Sequence, residues 1–165
     1  FNKDDSVVVS PINCKQETLS KMEESIIVFY TRRTRSASGL LSKQSENMKD
    51  TNKIEMMSKM VSLVYDMKEL IEKDNIEPIG ELLDKNWQLK KKMTEGISDS
   101  QIDNWYNDGI AAGAQGGKLL GAGNGGFIMF IAPKEEHSKI EIAMKGLQKV
   151  PFSFDNEGSK ILFNN

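Results

Sequence analysis

Eight of the 13 glycines stand at 109, 113, 116, 117, 121, 123, 125 and 126. Glycine loses more backbone freedom on folding than any other residue, so this density marks a backbone shape that side chains would forbid. The glycines divide two apolar runs, Leu119-Leu120 and Phe127 to Ala132. The second run has the length of a buried strand. The order predicts strand, glycine loop, strand. Two readings of the loop stand. Its N–H groups cradle an anion, with phosphate the first candidate; or the loop only lets two strands meet, since short glycine patterns recur without function.

The whole chain sets further bounds. Its 165 residues are enough for one domain with its own core. It begins at Phe1 rather than Met, which reads as a fragment or processed chain. A net charge of −2 and a pI near 5.6 argue against general nucleic-acid binding, which rests on clustered positive charge. Cys14 is alone and has no internal disulfide partner, as expected in a reducing cytoplasm. No apolar run approaches the ~20 residues needed to span a bilayer, so no membrane association is expected.

In chain order, Val7-Val8-Val9 predicts a short strand, and residues 16–24 a short amphipathic helix through Leu19 and Met22. Ile26 to Tyr30 is β-branched and aromatic, a strand. Ser36 or Ser38 suits the cap of a helix carrying Leu40 and Leu41, and 43–53 reads as a long loop. Three helices follow. Ile54, Met57, Val61, Val64, Met67 and Ile71 form the first apolar stripe. Ile79, Leu82, Leu83, Leu89 and Met93 form the second, after Pro78 and before Gly96. Ile102, Trp105, Tyr106 and Ile110 form the third, behind a Ser98/Gln101 capping box. After the glycine loop, Glu135-Glu136 start a helix with Ile140, Ala143, Met144 and Leu147 inward. Val150, Phe152 and Phe154 predict a strand, 155–158 a turn, and Ile161 with Phe163 a returning strand. The sum is α+β: an antiparallel sheet covered on one face by helices.

Two stretches carry a family resemblance. Lys118-Leu119-Leu120-Gly121-Ala122-Gly123-Asn124-Gly125-Gly126 resembles the third signature of the GHMP kinases, roughly K-L-[ST]-G-A-G-G-G-G. Leu120 replaces Ser or Thr, and Asn124 replaces a glycine. Asn tolerates positive φ, so the loop shape survives. Phe29-Tyr30-Thr31-Arg32-Arg33-Thr34-Arg35-Ser36-Ala37-Ser38 resembles the F-Y-T-G-x-x-R-S-A segment of the branch acting on D-glycero-D-manno-heptose 7-phosphate, with Arg32 in place of glycine.

The resemblance implies that residues 1–165 are a ferredoxin-like C-terminal domain with a helical insertion, and that an N-terminal ATP-binding domain lies outside this chain. That domain would hold most of the ATP and Mg contacts and the catalytic residues. The activity implied is transfer of the γ-phosphoryl group of ATP to the anomeric hydroxyl of a heptose phosphate, in cytoplasmic nucleotide-sugar and surface-glycan synthesis. Gly121, Ala122, Gly123, Asn124, Gly125 and Gly126 would lie beside the nucleotide phosphates. Arg35, with Ser36, Ser38 and Arg32, would hold the sugar phosphate, because guanidinium forks and helix starts suit that anion. The alternatives are another small-molecule kinase of the superfamily, galactokinase-like, or a non-catalytic α+β binding module.

Each candidate has a plainer reading. Lys118 reaches a phosphate or points to solvent. Arg32, Arg33 and Arg35 form an anion site or a solvated edge. His137 reads as a surface residue. One His and one Cys do not make a zinc site, and the scattered acids show no metal or general-base spacing. Met57, Met60, Met67, Met93, Trp87 and Trp105 read as core residues.

Overall fold

The computed structural model describes residues 2, 4–34, 50–93, 95–121, 123–155, 157–161 and 163. The expected Ser36 or Ser38 cap, the Leu40/Leu41 helix and 43–49 of the expected loop lie outside the described residues. The elements are α1 (Gln16–Ser25), β1 (Ile26–Tyr30), α2 (Thr51–Glu72), α3 (Ile79–Met93), α4 (Ser100–Ala111), β2 (Gly116–Leu120), β3 (Phe127–Ile131), a 3₁₀ turn (Lys134–Glu136), α5 (His137–Ala143) and β4 (Gln148–Val150). The four strands form one antiparallel sheet in the order β2-β3-β1-β4. This is the β-α-β-β-α-β order of ferredoxin-like sheets, with α2, α3 and α4 filling the first crossover.

Strand alternation sorts the core. Phe29 pairs with Ile128, and Ile128 with Leu119, so all three side chains share one face. Ile27 and Phe130 join them. Against this face pack Trp87 of α3, Ile102 and Tyr106 of α4, and Ile140 of α5. On the reverse face the Tyr30 and Phe127 rings lie 5.1 Å apart, and Phe127 is 39% exposed. Helix α3 runs close beside β2. A Cβ on Gly116 would stand 1.9 Å from the Gly80 carbonyl oxygen, so the approach requires glycine there.

Several expectations are corrected. Val7-Val8-Val9 is not a strand; its residues are exposed and pair with nothing among the described residues. The expected 43–53 loop ends at Asp50, whose side chain caps α2 by accepting from the Asn52 N–H at 2.8 Å. The first stripe holds in part. Met57 and Met67 are half-buried and Ile71 is buried, as expected, whereas Ile54, Val61 and Val64 are exposed and Met60 and Leu63 are half-buried beside them. The cap of α4 is Asp99, which accepts from the Ile102 N–H at 3.0 Å, rather than Ser98. The last strand stops at Val150; Phe152 and Phe154 follow as coil, with their rings edge-to-face. Ile161 and Phe163 are exposed and form no strand. His137 is half-buried rather than on the surface, and its Nε2 is shielded with no hydrogen-bond partner among the described residues.

Candidate functional site

The glycine loop, 121–126, is the turn that joins β2 to β3. Its backbone lies in the left-handed region: φ is +90° at Gly121, +111° at Gly123, +55° at Asn124 and +93° at Gly126. Gly123 is doubly constrained, since a Cβ there would also stand 2.9 Å from the Cα and carbonyl oxygen of Ile97. Asn124 holds the positive φ expected of it, and its N–H donates to the Ile97 carbonyl at 2.8 Å. Ala122 lies outside the described residues.

The structure brings the two sequence motifs together at this loop. Thr31 is buried, and both its N–H and its hydroxyl donate to the Gly126 carbonyl, at 2.9 and 2.8 Å. The Gly126 N–H donates back to the Arg33 carbonyl at 2.8 Å. The Arg33 guanidinium donates to Asn124 Oδ1 at 2.7 Å and to both Asp99 carboxylate oxygens, at 3.1 and 2.5 Å. Arg33 holds the Asp99 carboxyl below its ordinary range, and Asp99 raises Arg33 in return. Arg33 is therefore spent on bracing the loop against the start of α4. The sequence groups it with the anion candidates, and its one signal for the brace is Asp99 standing just ahead of a helix.

The remaining candidates fall as follows. Arg32 is exposed at φ +56° and makes no hydrogen bond or ion pair among the described residues. Arg35, Ser36 and Ser38 lie outside the described residues. Gly123 and Gly125 are buried, and their N–H groups have no partner among the described residues, whereas those of Asn124 and Gly126 are committed internally. Gly121 is exposed, and a Cβ there meets nothing within 4 Å. The loop thus has one braced side and one open side.

Lysines flank the open side. Lys90 of α3 donates from Nζ to the Gly121 carbonyl at 2.9 Å. Lys118 in β2 is half-buried, as Lys90 is, and burial pushes both ammonium groups below the ordinary lysine range. Neither lysine was singled out together with the other in the sequence, because nothing in the spacing of 90 and 118 signals proximity. The chemistry here is that of N–H donors and ammonium groups, which suit an anion. It does not suit magnesium, which takes oxygen ligands. Among the described residues no group of three or more His, Cys, Asp or Glu is placed to hold a metal ion.

Comparison with known proteins points to the same family as the two motifs. The profile of the family described as GHMP kinases C terminal matches residues 67–145. The chain is 29% identical, over 97% of its length and 48% of the relative's, to the D-glycero-alpha-D-manno-heptose 7-phosphate kinase of Campylobacter jejuni. Residues 67–145 match the GHMP kinase C-terminal domain. The chain shares its fold with a crystal structure of a putative sugar kinase from C. jejuni. The TM-score is 0.66 at 28% identity, covering 96% of this chain and 44% of that one. A D-glycero-D-manno-heptose 1-phosphate kinase from Bacteroides thetaiotaomicron gives a TM-score of 0.62 over 92% of this chain and 39% of that one. At 22% identity it shows the fold alone. The chain spans about half the length of the curated relative it matches. Among the described residues no helix is long and apolar enough to cross a membrane.

Proposed function

We propose that this chain is the C-terminal part of an ATP-dependent sugar kinase that phosphorylates a heptose phosphate at its anomeric hydroxyl, in cytoplasmic nucleotide-sugar and surface-glycan synthesis. The observation that carries this reading is the 29% identity, over 97% of this chain, to about half of a heptose 7-phosphate kinase. The contact between Thr31 of the F-Y-T segment and Gly126 of the glycine loop supports it. On this reading the open side of residues 121–126 faces the triphosphate. An N-terminal lobe supplies the main nucleotide site, the magnesium ligands and the catalytic groups. Arg35, with Ser36, Ser38 and Arg32, takes the sugar phosphate. Phosphoryl transfer depends mainly on positioning and on charge stabilisation, and both are what a braced loop with cations beside it provides.

A second reading has its own support. The chain is 32% identical, over 78% of its length and 41% of the relative's, to a mevalonate kinase of Pyrococcus horikoshii. A different acceptor on the same scaffold is therefore the alternative. Arg35→Ala in the complete kinase separates the two, since a raised KM for the sugar phosphate alone supports the heptose reading.

The loop's role is tested by Gly121→Asn in the complete kinase. Position 121 has open space for a side chain, and Asn accepts positive φ at a cost of about 1 kcal/mol. The expected result is a roughly tenfold rise in the KM for ATP, with the KM for the acceptor unchanged. Unchanged ATP kinetics in a folded variant would overturn the loop's proposed place at the phosphates.

A further inference from the structure

Lys90 donates to the glycine loop and Lys118 stands in β2 just before it, and neither has a counter-ion among the described residues. Strand alternation puts Lys118 on the side of β2 that carries Gly116, and Gly116 lies against the Gly80 carbonyl of α3. Lys90 belongs to the last turn of α3, the helix whose Gly80 end Gly116 approaches. Burial lowers Lys90, and the charge of Lys118 adds to that shift. Neither makes an ion pair among the described residues. Lys90 donates to the Gly121 carbonyl, and Lys118 has no hydrogen-bond partner among them. Lysines ordinarily extend the ammonium into water or find a carboxylate. Two half-buried lysines with no carboxylate partner among the described residues destabilise the chain until an anion reaches them.

We propose that Lys118 and Lys90 form a two-cation seat for the nucleotide's triphosphate, Lys118 as a direct ligand and Lys90 as the group that fixes the loop and adds charge. This rests on the proposed place of the loop at the nucleotide. It adds a residue of α3 that belongs to neither motif. Lysine acts on phosphate as a mobile point charge rather than a rigid fork, which suits a group whose terminal phosphoryl must leave.

The test uses Lys118→Met and Lys90→Met in the complete kinase, since methionine keeps the apolar stem and removes the charge. The readouts are the KM values for ATP and for the sugar phosphate, and the melting temperature with and without inorganic tripolyphosphate. For Lys118→Met we expect the KM for ATP to rise about tenfold, or ~1.4 kcal/mol. The sugar-phosphate KM stays within about twofold, and the melting-temperature rise caused by tripolyphosphate is lost. The unliganded melting temperature stays level or increases, because a half-buried unpaired charge is gone. Lys118→Gln gives the same readouts should methionine disturb the packing. Unchanged ATP kinetics with an unchanged tripolyphosphate effect would overturn the seat. If Gly121→Asn still impairs ATP use in that case, the loop reading survives and only the lysine pair has failed. If Gly121→Asn is silent too, the loop reading has failed first. A rise confined to the sugar-phosphate KM also overturns the proposal, by moving the anion to the acceptor.

Discussion

Arg32 occupies a conformation that its side chain resists. Its φ is +56°, and it stands where the resembling segment carries glycine. A left-handed backbone costs a non-glycine residue about 1–2 kcal/mol, part of which glycine gives back through the entropy of its unfolded chain. Arg32→Gly should therefore stabilise the fold by about 0.5–1 kcal/mol, read as a higher melting temperature. Kinetics on the same variant test the residue's second proposed role. If Arg32 helps to hold the sugar phosphate, the KM for that substrate rises while stability increases. If Arg32 is only a solvated residue in a strained turn, stability alone changes. Asn124, also at positive φ, carries no such tension, because asparagine tolerates that region and its side chain accepts from Arg33.

Between elements, Asp74 is the tie that matters most at the N-terminal end. It sits in the turn after α2 at φ +57°, and its carboxylate meets the Lys15 ammonium, the Lys15 N–H and the Thr18 hydroxyl at the start of α1. The hydrogen bond from Lys15 is the main reason its pKa falls from 3.8 to about 2. A depressed carboxyl pKa stabilises the fold above the unfolded value and stops doing so as pH falls through the folded one. Asp74→Asn, which keeps the left-handed turn, should thus melt lower than the parent at pH 7. The gap should close between about pH 4 and pH 2. A gap that persists at pH 2, in melting curves at matched ionic strength, would place the effect elsewhere. The same scale shows what the sequence could reveal. β1, β2, β3, α3 and α4 were legible because each carries a full apolar run or stripe that the sheet or its helices bury. Val7-Val8-Val9 misled because β propensity expresses packing against a partner strand, and none lies beside it among the described residues. The α2 stripe was half legible: Met57, Met67 and Ile71 are covered as expected, whereas Ile54, Val61 and Val64 misled because α3 covers only one side of that helix. The loop itself was legible from its glycines. Its braces were not, because Thr31–Gly126, Arg33–Asn124 and Arg33–Asp99 join residues 95, 91 and 66 apart.

For the molecule as a whole, the question is whether a half-length chain can do the chemistry of its relatives. The sheet's inner face is filled by its own helices, while the loop's outer side at Gly121 remains open. The groups there are N–H donors and lysines, which suit an anion rather than a metal. Nothing among the described residues is assembled to ligate a metal. On the proposed division of labour, residues 1–165 alone bind ATP no tighter than millimolar. At 1 mM ATP the stabilisation is then at most about 0.4 kcal/mol, a melting shift of roughly 1 °C. A coupled assay with ATP and a heptose phosphate should record no turnover from the chain alone. Supplying the proposed N-terminal lobe as a separate polypeptide should restore it, since the loop is already braced in the left-handed form by Thr31, Arg33 and Ile97. Turnover by residues 1–165 without that lobe would overturn the division, and would require a catalytic carboxylate that the described loop does not carry beside its lysines.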